Sequence, residues 1–341
     1  MSAVFLSPPS PCPLPSRERM NTTGLTHFSK VTCFSTLVLI FMGGLVKSHE
    51  AGLSVPDWPT TYGENLFLFH PSQWVGGIFY EHTHRLVASF VGFLTLVLSL
   101  GLFFKESRKW VRVLGYTALG TVILQGFLGG ITVKFYLPVL ISSAHAVLAQ
   151  TFFLITILIA YVLSNEWQER IREKTLIETN FWKLSAILLG IIFMQLVLGA
   201  LMRHTESGLA ILDFPLVAGK WIPIFNDTLL QKINAARFQA DLEPVNLAQV
   251  SIHFAHRVGA LLVTITALCL SFQVFRNSNL PFRVKYSVGI LMIVLLVQIS
   301  LGVMTVLTQK SPLLTSFHVV AGAVTLGISA LILLRTYPFK F

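Results

Sequence analysis

The sequence predicts an all-α integral membrane protein with eight transmembrane helices, arranged as two pseudo-symmetric four-helix bundles. Three observations predict it. Of 341 residues, 54% are hydrophobic and only 12% charged, with a mean hydropathy of +0.71, where a soluble domain carries about a quarter charged residues. The uncharged stretches are long, and about 20 apolar residues are what a hydrocarbon core of about 30 Å requires. A set of motifs recurs halfway along the chain.

Residues 1–30 are rich in Pro and Ser at their start and contain no apolar run, so they read as a disordered cytoplasmic tail without a cleaved signal; Met20, opening MNTTG, is a second candidate start. Eight stretches then qualify as spans, or nearly so: residues 31–46, 86–104, 113–133, 135–165, 184–202, 258–275, 286–309 and 311–334, none charged apart from histidine. They group as an N-terminal half (31–165), a cytoplasmic linker (166–183) and a C-terminal half (184–336). So many spans leave no room for a separate soluble catalytic domain, and segments of this length argue against a β-barrel. The outer loop at 204–250 has two readings: an interfacial helix near 227–241 with Leu229, Leu230, Ile233 and Ala236 on one side, able to cover a site, or a plain surface loop.

The net charge is +10. With the N-terminus inside, 16 of the 25 Lys and Arg fall in inner segments and 7 in outer ones (Lys47, Lys134, Arg203, Lys220, Lys232, Arg237, Lys310), while Arg85 and Arg257 stand at helix starts. The positive-inside rule then places both termini in the cytoplasm and explains the basic balance without a nucleic-acid partner. Cys12, Cys33 and Cys269 are too scattered for a disulfide or a CxxC site.

The repeat is specific in places. Gln125, Leu128, Gly129, Thr132 and Val133 return as Gln298, Leu301, Gly302, Thr305 and Val306, 173 residues on, and His145 returns as His318 at the same offset. His84-Arg85 returns as His256-Arg257 at 172, and Lys47, Glu50, Gly52, Leu53, Asp57 and Pro59 return as Arg203, Glu206, Gly208, Leu209, Asp213 and Pro215 at 156. The drop from 172 to 156 places an insertion of 16 residues in the second outer loop. Four helices per half is an even number, so both halves take the same orientation about a pseudo-two-fold along the membrane normal. Matched Gly and Leu alone would serve packing.

The repeated histidines carry more. His84, His145, His256 and His318 each lie near the start of an even-numbered helix, within about 10 Å of the outer boundary at 1.5 Å per residue. Two imidazoles facing each other across a bundle, without Cys and with few carboxylates, suit a haem iron ligated on both axial faces. Two pairs imply two haems, whereas zinc or copper sites need three or four close ligands. Arg85 and Arg257, next to the ligands, have two open readings: charge-assisted bonds to haem propionates, with Lys47 and Arg203 assisting, or snorkelling to the interface. Glu81 stands three residues before His84, on the same face, where the other half has His253. An intramembrane carboxylate is a candidate proton carrier, unless it sits solvated among headgroups. His49, His70, His82 and His204 read as ordinary polar positions.

The segments GGLVKSHEAGLSVPDWP, EHTHR, SSAHAVLAQ, RHTESGLAILDFP, HFAHR and SFHVVAG resemble the heme A synthase family from about residue 31 to 336. That resemblance implies a bacterial plasma-membrane enzyme that oxidises a ring methyl of haem O to a formyl group in two hydroxylations, making haem A for terminal oxidases. It implies that His256 and His318 hold a haem b cofactor, that His84 and His145 mark the substrate haem, and that Glu81 is the functional acid. Haem O synthase and oxidase assembly proteins are implied partners; the electron donor is not. Some relatives carry a cysteine pair in the first outer loop, and residues 49–78 here contain none. Two histidines on the substrate iron leave no open position for dioxygen, so either one lets go during turnover or both only cradle the porphyrin. The alternative is a dihaem b-type electron carrier fed by quinol, whose haems would be stacked across the bilayer. A transporter would favour broken helices at the midplane.

Overall fold

The structure, a computed structural model, describes residues 16–173 and 181–339, the side chains of 16–23 and 173 excepted. Residues 1–15 of the expected tail with Cys12, residues 174–180 of the linker with Lys174, and Lys340 lie outside the described residues, as do the side chains of Arg17 and Arg19. Ten α-helices are described: α1 (Ser16–Ser48), α2 (Gly77–Lys105), α3 (Lys109–Lys134), α4 (Val139–Val162), α5 (Asn165–Glu173), α6 (Phe181–His204), α7 (Asp227–Gln239), α8 (Leu247–Arg276), α9 (Phe282–Leu307) and α10 (Pro312–Thr336). Eight of them, all but the short α5 and α7, are long and apolar enough to cross a membrane. Their outer faces present Phe90, Phe93, Phe272, Ile293 and Leu296, as lipid-facing surfaces do.

The helices close into two sets. α1 packs on α2, α2 on α3, α3 on α4 and α4 back on α1; likewise α6 on α8, α8 on α9, α9 on α10 and α10 back on α6. The first set encloses Val91, Leu98, Leu102, Phe152 and Ile159, the second Leu188, Val263, Leu270, Leu291 and Leu326. The sets meet through α1 and α4 against α10 and α6, with Ile40, Phe153 and Ala323 at the junction. Gly327 lets α10 come close there: a Cβ on it would stand 2.9 Å from Ile157 Cδ1.

One boundary needs correction. Residues 16–30, assigned to the disordered tail, belong to α1, whose span begins at Gly24. The proline run ends at Pro15, and the polar residues after it are satisfied within the fold: Thr26 Oγ1 donates to Leu163 O at 2.7 Å and Ser29 Oγ to Thr26 O at 2.8 Å. α2 and α8 also start 9 and 11 residues before the uncharged stretches at 86 and 258, which sets His84 and His256 two turns or more inside their helices.

At the end where α1 begins, Arg335 of α10 donates both Nε and Nη2 to Glu166 of α5, at 2.7 and 2.6 Å, which ties the last helix to the segment after the first set. The opposite end carries the two long loops. Helix α7 is formed, capped by Asn226, whose side chain accepts from Leu229 N at 2.9 Å. It buries Leu229 and Ile233 against Ile211 and Val217 of its own loop and Val250 of α8, so these two side chains face protein, while Ala236 is exposed.

Candidate functional site

Each of the four repeated histidines rests on a glycine of the preceding spanning helix. A Cβ on Gly43 of α1 would stand 3.3 Å from Cε1 of His84; on Gly129 of α3, 3.4 Å from that of His145; on Gly199 of α6, 3.2 Å from that of His256; and on Gly302 of α9, 2.9 Å from that of His318. The missing side chain is the space the imidazole occupies. Gly129 and Gly302 belong to the QxxLGxxTV repeat, whose glycine thus does more than let helices approach. Gly43 and Gly199 stand outside that motif, yet they keep the 156-residue offset of Lys47 and Arg203.

The second pair is tightly defined. The rings of His256 and His318 have centroids 6.4 Å apart at an interplanar angle of 70°. An ion bound between two imidazoles at about 2.0–2.1 Å from each nitrogen puts the ring centres roughly 6–6.5 Å apart, so His256 and His318 are spaced as a pair that would hold a metal ion between them. His318 Nδ1 faces the main-chain oxygen of Gln298 at 3.1 Å, the arrangement that fixes a ligating tautomer with Nε2 free for metal. The amide of Gln195 lies 3.1 Å from His256 Nδ1 and donates to His256 O at 2.8 Å. Among the described residues no three His, Cys, Asp or Glu side chains gather as a metal shell.

The first pair differs. Gln125 donates its side-chain amide to His145 O at 2.8 Å and its main-chain carbonyl stands behind the His145 ring, but Nδ1 of His84 is buried without a partner. Between the pairs runs the end of α6: Arg203 donates to Gly44 O and Ser48 Oγ of α1 at 3.0 and 2.9 Å, and Glu206 takes Lys47 and Lys310.

Forcing a methyl into a packed slot costs about 1–3 kcal/mol, and Gly302 is the tightest of the four. Gly302→Ala is therefore expected to displace His318 and weaken haem retention about tenfold, whereas Gly129→Ala, at ordinary contact distance, is expected to leave it near wild type. Haem absorbance per mole of purified protein checks both.

Glu81 is buried, 4% exposed. Its Oε2 accepts from Val55 N at 2.7 Å and its Oε1 from Arg85 Nη2 at 2.7 Å. The same guanidinium donates to Val55 O, Asp57 O and Thr60 O at 2.7–2.9 Å. In the other half His253 Nδ1 accepts from Ile211 N at 3.3 Å, and Arg257 donates to Leu216 O and Ile211 O at 3.0 and 3.1 Å. Val55 and Ile211 are repeat equivalents. Glu81 is thus not solvated, and Arg85 and Arg257 hold the loops through main-chain carbonyls. Four of the five N–H groups of Arg85 are committed in this way.

The loops themselves are fixed by a repeated turn. Asp57 accepts from the amides of Tyr62 and Gly63 at 2.8 Å, and Asp213 from that of Gly219 at 3.1 Å. Burial pushes the Asp57 carboxyl up, but these bonds and the Thr60 hydroxyl outweigh it and hold it below the usual range. His82, read as an ordinary polar position, is fully buried between Phe69 and Trp74, with Thr61 Oγ1 3.2 Å from its Nδ1. It pins the first loop.

The chain matches the family described as cytochrome oxidase assembly protein over residues 26–330. It is similar to the heme A synthase of Shewanella oneidensis, 26% identical over 83% of this chain and 87% of that one, and of Halalkalibacterium halodurans, 25% identical over 86% and 91%. The heme A synthase of Rickettsia prowazekii is 26% identical over 91% of this chain and 97% of its own.

Proposed function

From the premise that the chain belongs to the cytochrome oxidase assembly protein family, we propose that it is a heme A synthase, oxidising a ring methyl of haem O to a formyl group in two hydroxylations. The observation that carries this reading is the pairing of four histidines, two per helix set, with the second pair spaced for a single iron between its rings. His256 and His318 hold a resident haem b, and His84 and His145 seat the substrate. The bundles are related by a pseudo-two-fold along the membrane normal. By the distribution of Lys and Arg, the loop end is the outer one and both termini are cytoplasmic, in a bacterial plasma membrane.

The resident haem, when bound, supplies one-electron transfer. The chain's own groups do the rest. The glycine slots orient the four rings; the apolar bundle excludes water; Glu81, beside His84, holds or moves a proton at Oε1 or Oε2; and the loops at 49–76 and 205–246, fastened by Arg85 and Arg257, roof the two pairs. The Nε–H of Arg85 and the remaining N–H groups of Arg257 are what those residues can offer a propionate. Haem O arrives from a haem O synthase, the product leaves for terminal oxidase assembly, and an external donor supplies electrons. All four histidines lie near one end of the bundle, which speaks against a dihaem wire across the bilayer.

Expression beside a source of haem O, followed by chromatography of extracted pigment, tests the assignment. Haem A should accumulate with this chain and not without it. Haem O left unconverted in a correctly inserted protein would overturn it.

A further inference from the structure

The two histidine pairs share ligand type, depth and glycine slots, and differ in what stands behind the rings. Behind His318 is the Gln298 carbonyl at 3.1 Å, and behind His145 the equivalent Gln125 carbonyl; behind His256 is the Gln195 side-chain amide at 3.1 Å, whereas Nδ1 of His84 has no partner. The difference has a sequence origin. Gln195 stands one turn before Gly199 in α6, and the repeat-equivalent position in α1, one turn before Gly43, is Leu39.

Resting on the haem assignment above, we propose that bonding at Nδ1 separates a resident haem from an exchangeable one in this chain: Gln195 fastens His256, while His84, without a partner at Nδ1 and with Leu39 in the equivalent place, grips loosely enough for substrate and product to leave. An acceptor behind a ligating imidazole fixes its orientation and raises its basicity, and removing such a partner costs about 10–100-fold in metal affinity. Gln195 is a positioning residue here. Its Nε2 faces Nδ1 and donates to His256 O, while its Oε1 is buried and unpartnered; bonding an Nδ1–H takes a turn about the soft terminal torsion that gives up the bond to His256 O and presents Oε1 to the ring instead. The enzyme's task explains the asymmetry. A cofactor that only relays electrons gains from permanence, whereas the first site must release its haem after every conversion, and a ligand without a backing bond is also the one that can yield iron to another group.

The test uses the purified, haem-loaded protein challenged with excess haem-scavenging apoprotein, with the released haem types separated by chromatography. Wild type should lose haem O or haem A from the first pair at least about tenfold faster than haem b. Gln195→Leu, which installs the residue α1 already carries, should speed haem b release about 10–100-fold and raise its midpoint potential, since a less basic ligand favours ferric iron less. Leu39→Gln should slow release from the first pair. Equal release of both haem types from wild type would overturn the proposal, as would a haem-loaded Gln195→Leu with wild-type release and potential. Wild type purified without any haem would instead overturn the functional assignment, and this proposal with it.

Discussion

His318→Ala protein is expected to purify without haem b and to make no haem A, while remaining inserted and helical. His318 is held on α10 against Gly302 and bonded to the Gln298 carbonyl, and His256, whose ring centre is 6.4 Å away, is the proposed opposing ligand and so does not replace it. Truncation leaves a cavity in a partly buried position, and large-to-small changes of this kind cost about 2–5 kcal/mol, which a bundle with cores around Leu270 and Leu326 should survive. His256→Ala should behave in the same way. His84→Ala, by contrast, should retain haem b and lose conversion, because it touches only the first pair. Haem extraction and circular dichroism on the three proteins separate loss of ligand from loss of fold.

Glu81→His is expected to bind haem and to lower haem A formation about 10²–10⁴-fold, the usual contribution of a positioned acid or base. The choice of histidine comes from the other half, where His253 accepts the Ile211 amide as Glu81 accepts that of Val55. It preserves an acceptor for the loop while removing the carboxylate. Glu81→Ala is a harsher change, because the Glu81–Arg85 pair is nearly buried, and breaking such a pair from one side costs about 3–5 kcal/mol; its first loop should loosen as well. Comparing the two variants by haem content, conversion and protease sensitivity of the 49–76 loop distinguishes proton chemistry from loop anchoring. Normal conversion by Glu81→His would remove the carboxylate from the mechanism.

Much of this arrangement is legible in the residues, for identifiable reasons. Lipid demands long uncharged runs, so the eight spans can be counted. Their starts cannot, because Glu81 and His82 lie inside α2 and are satisfied by loop groups, Val55 N and Thr61 Oγ1, that only the folded chain brings near. α8 does announce its start: Asn246 and Gln249 form a reciprocal capping box, each side chain bonded to the other's amide at 3.0 Å, a signal four residues long that the hydropathy pattern overrides. The four paired histidines are visible as a repeat, but their glycine slots at 43 and 199 are not, since a glycine in an apolar helix reads first as packing. The burial of His82 has no local signal at all, because Phe69 and Trp74 reach it from a loop. The proline-rich opening suggests disorder as far as residue 30, whereas helical order begins as soon as the prolines end at Pro15.

The most direct measurement is the haem-to-protein ratio and electronic spectrum of the purified chain, with each pair of histidines replaced in turn. Two haem sites per chain are expected, the resident one with the low-spin signature of an iron between two imidazoles, and each double replacement should remove one site and spare the other. A colourless wild-type protein, or one that keeps its full pigment after His256 and His318 are both replaced, would contradict the assignment.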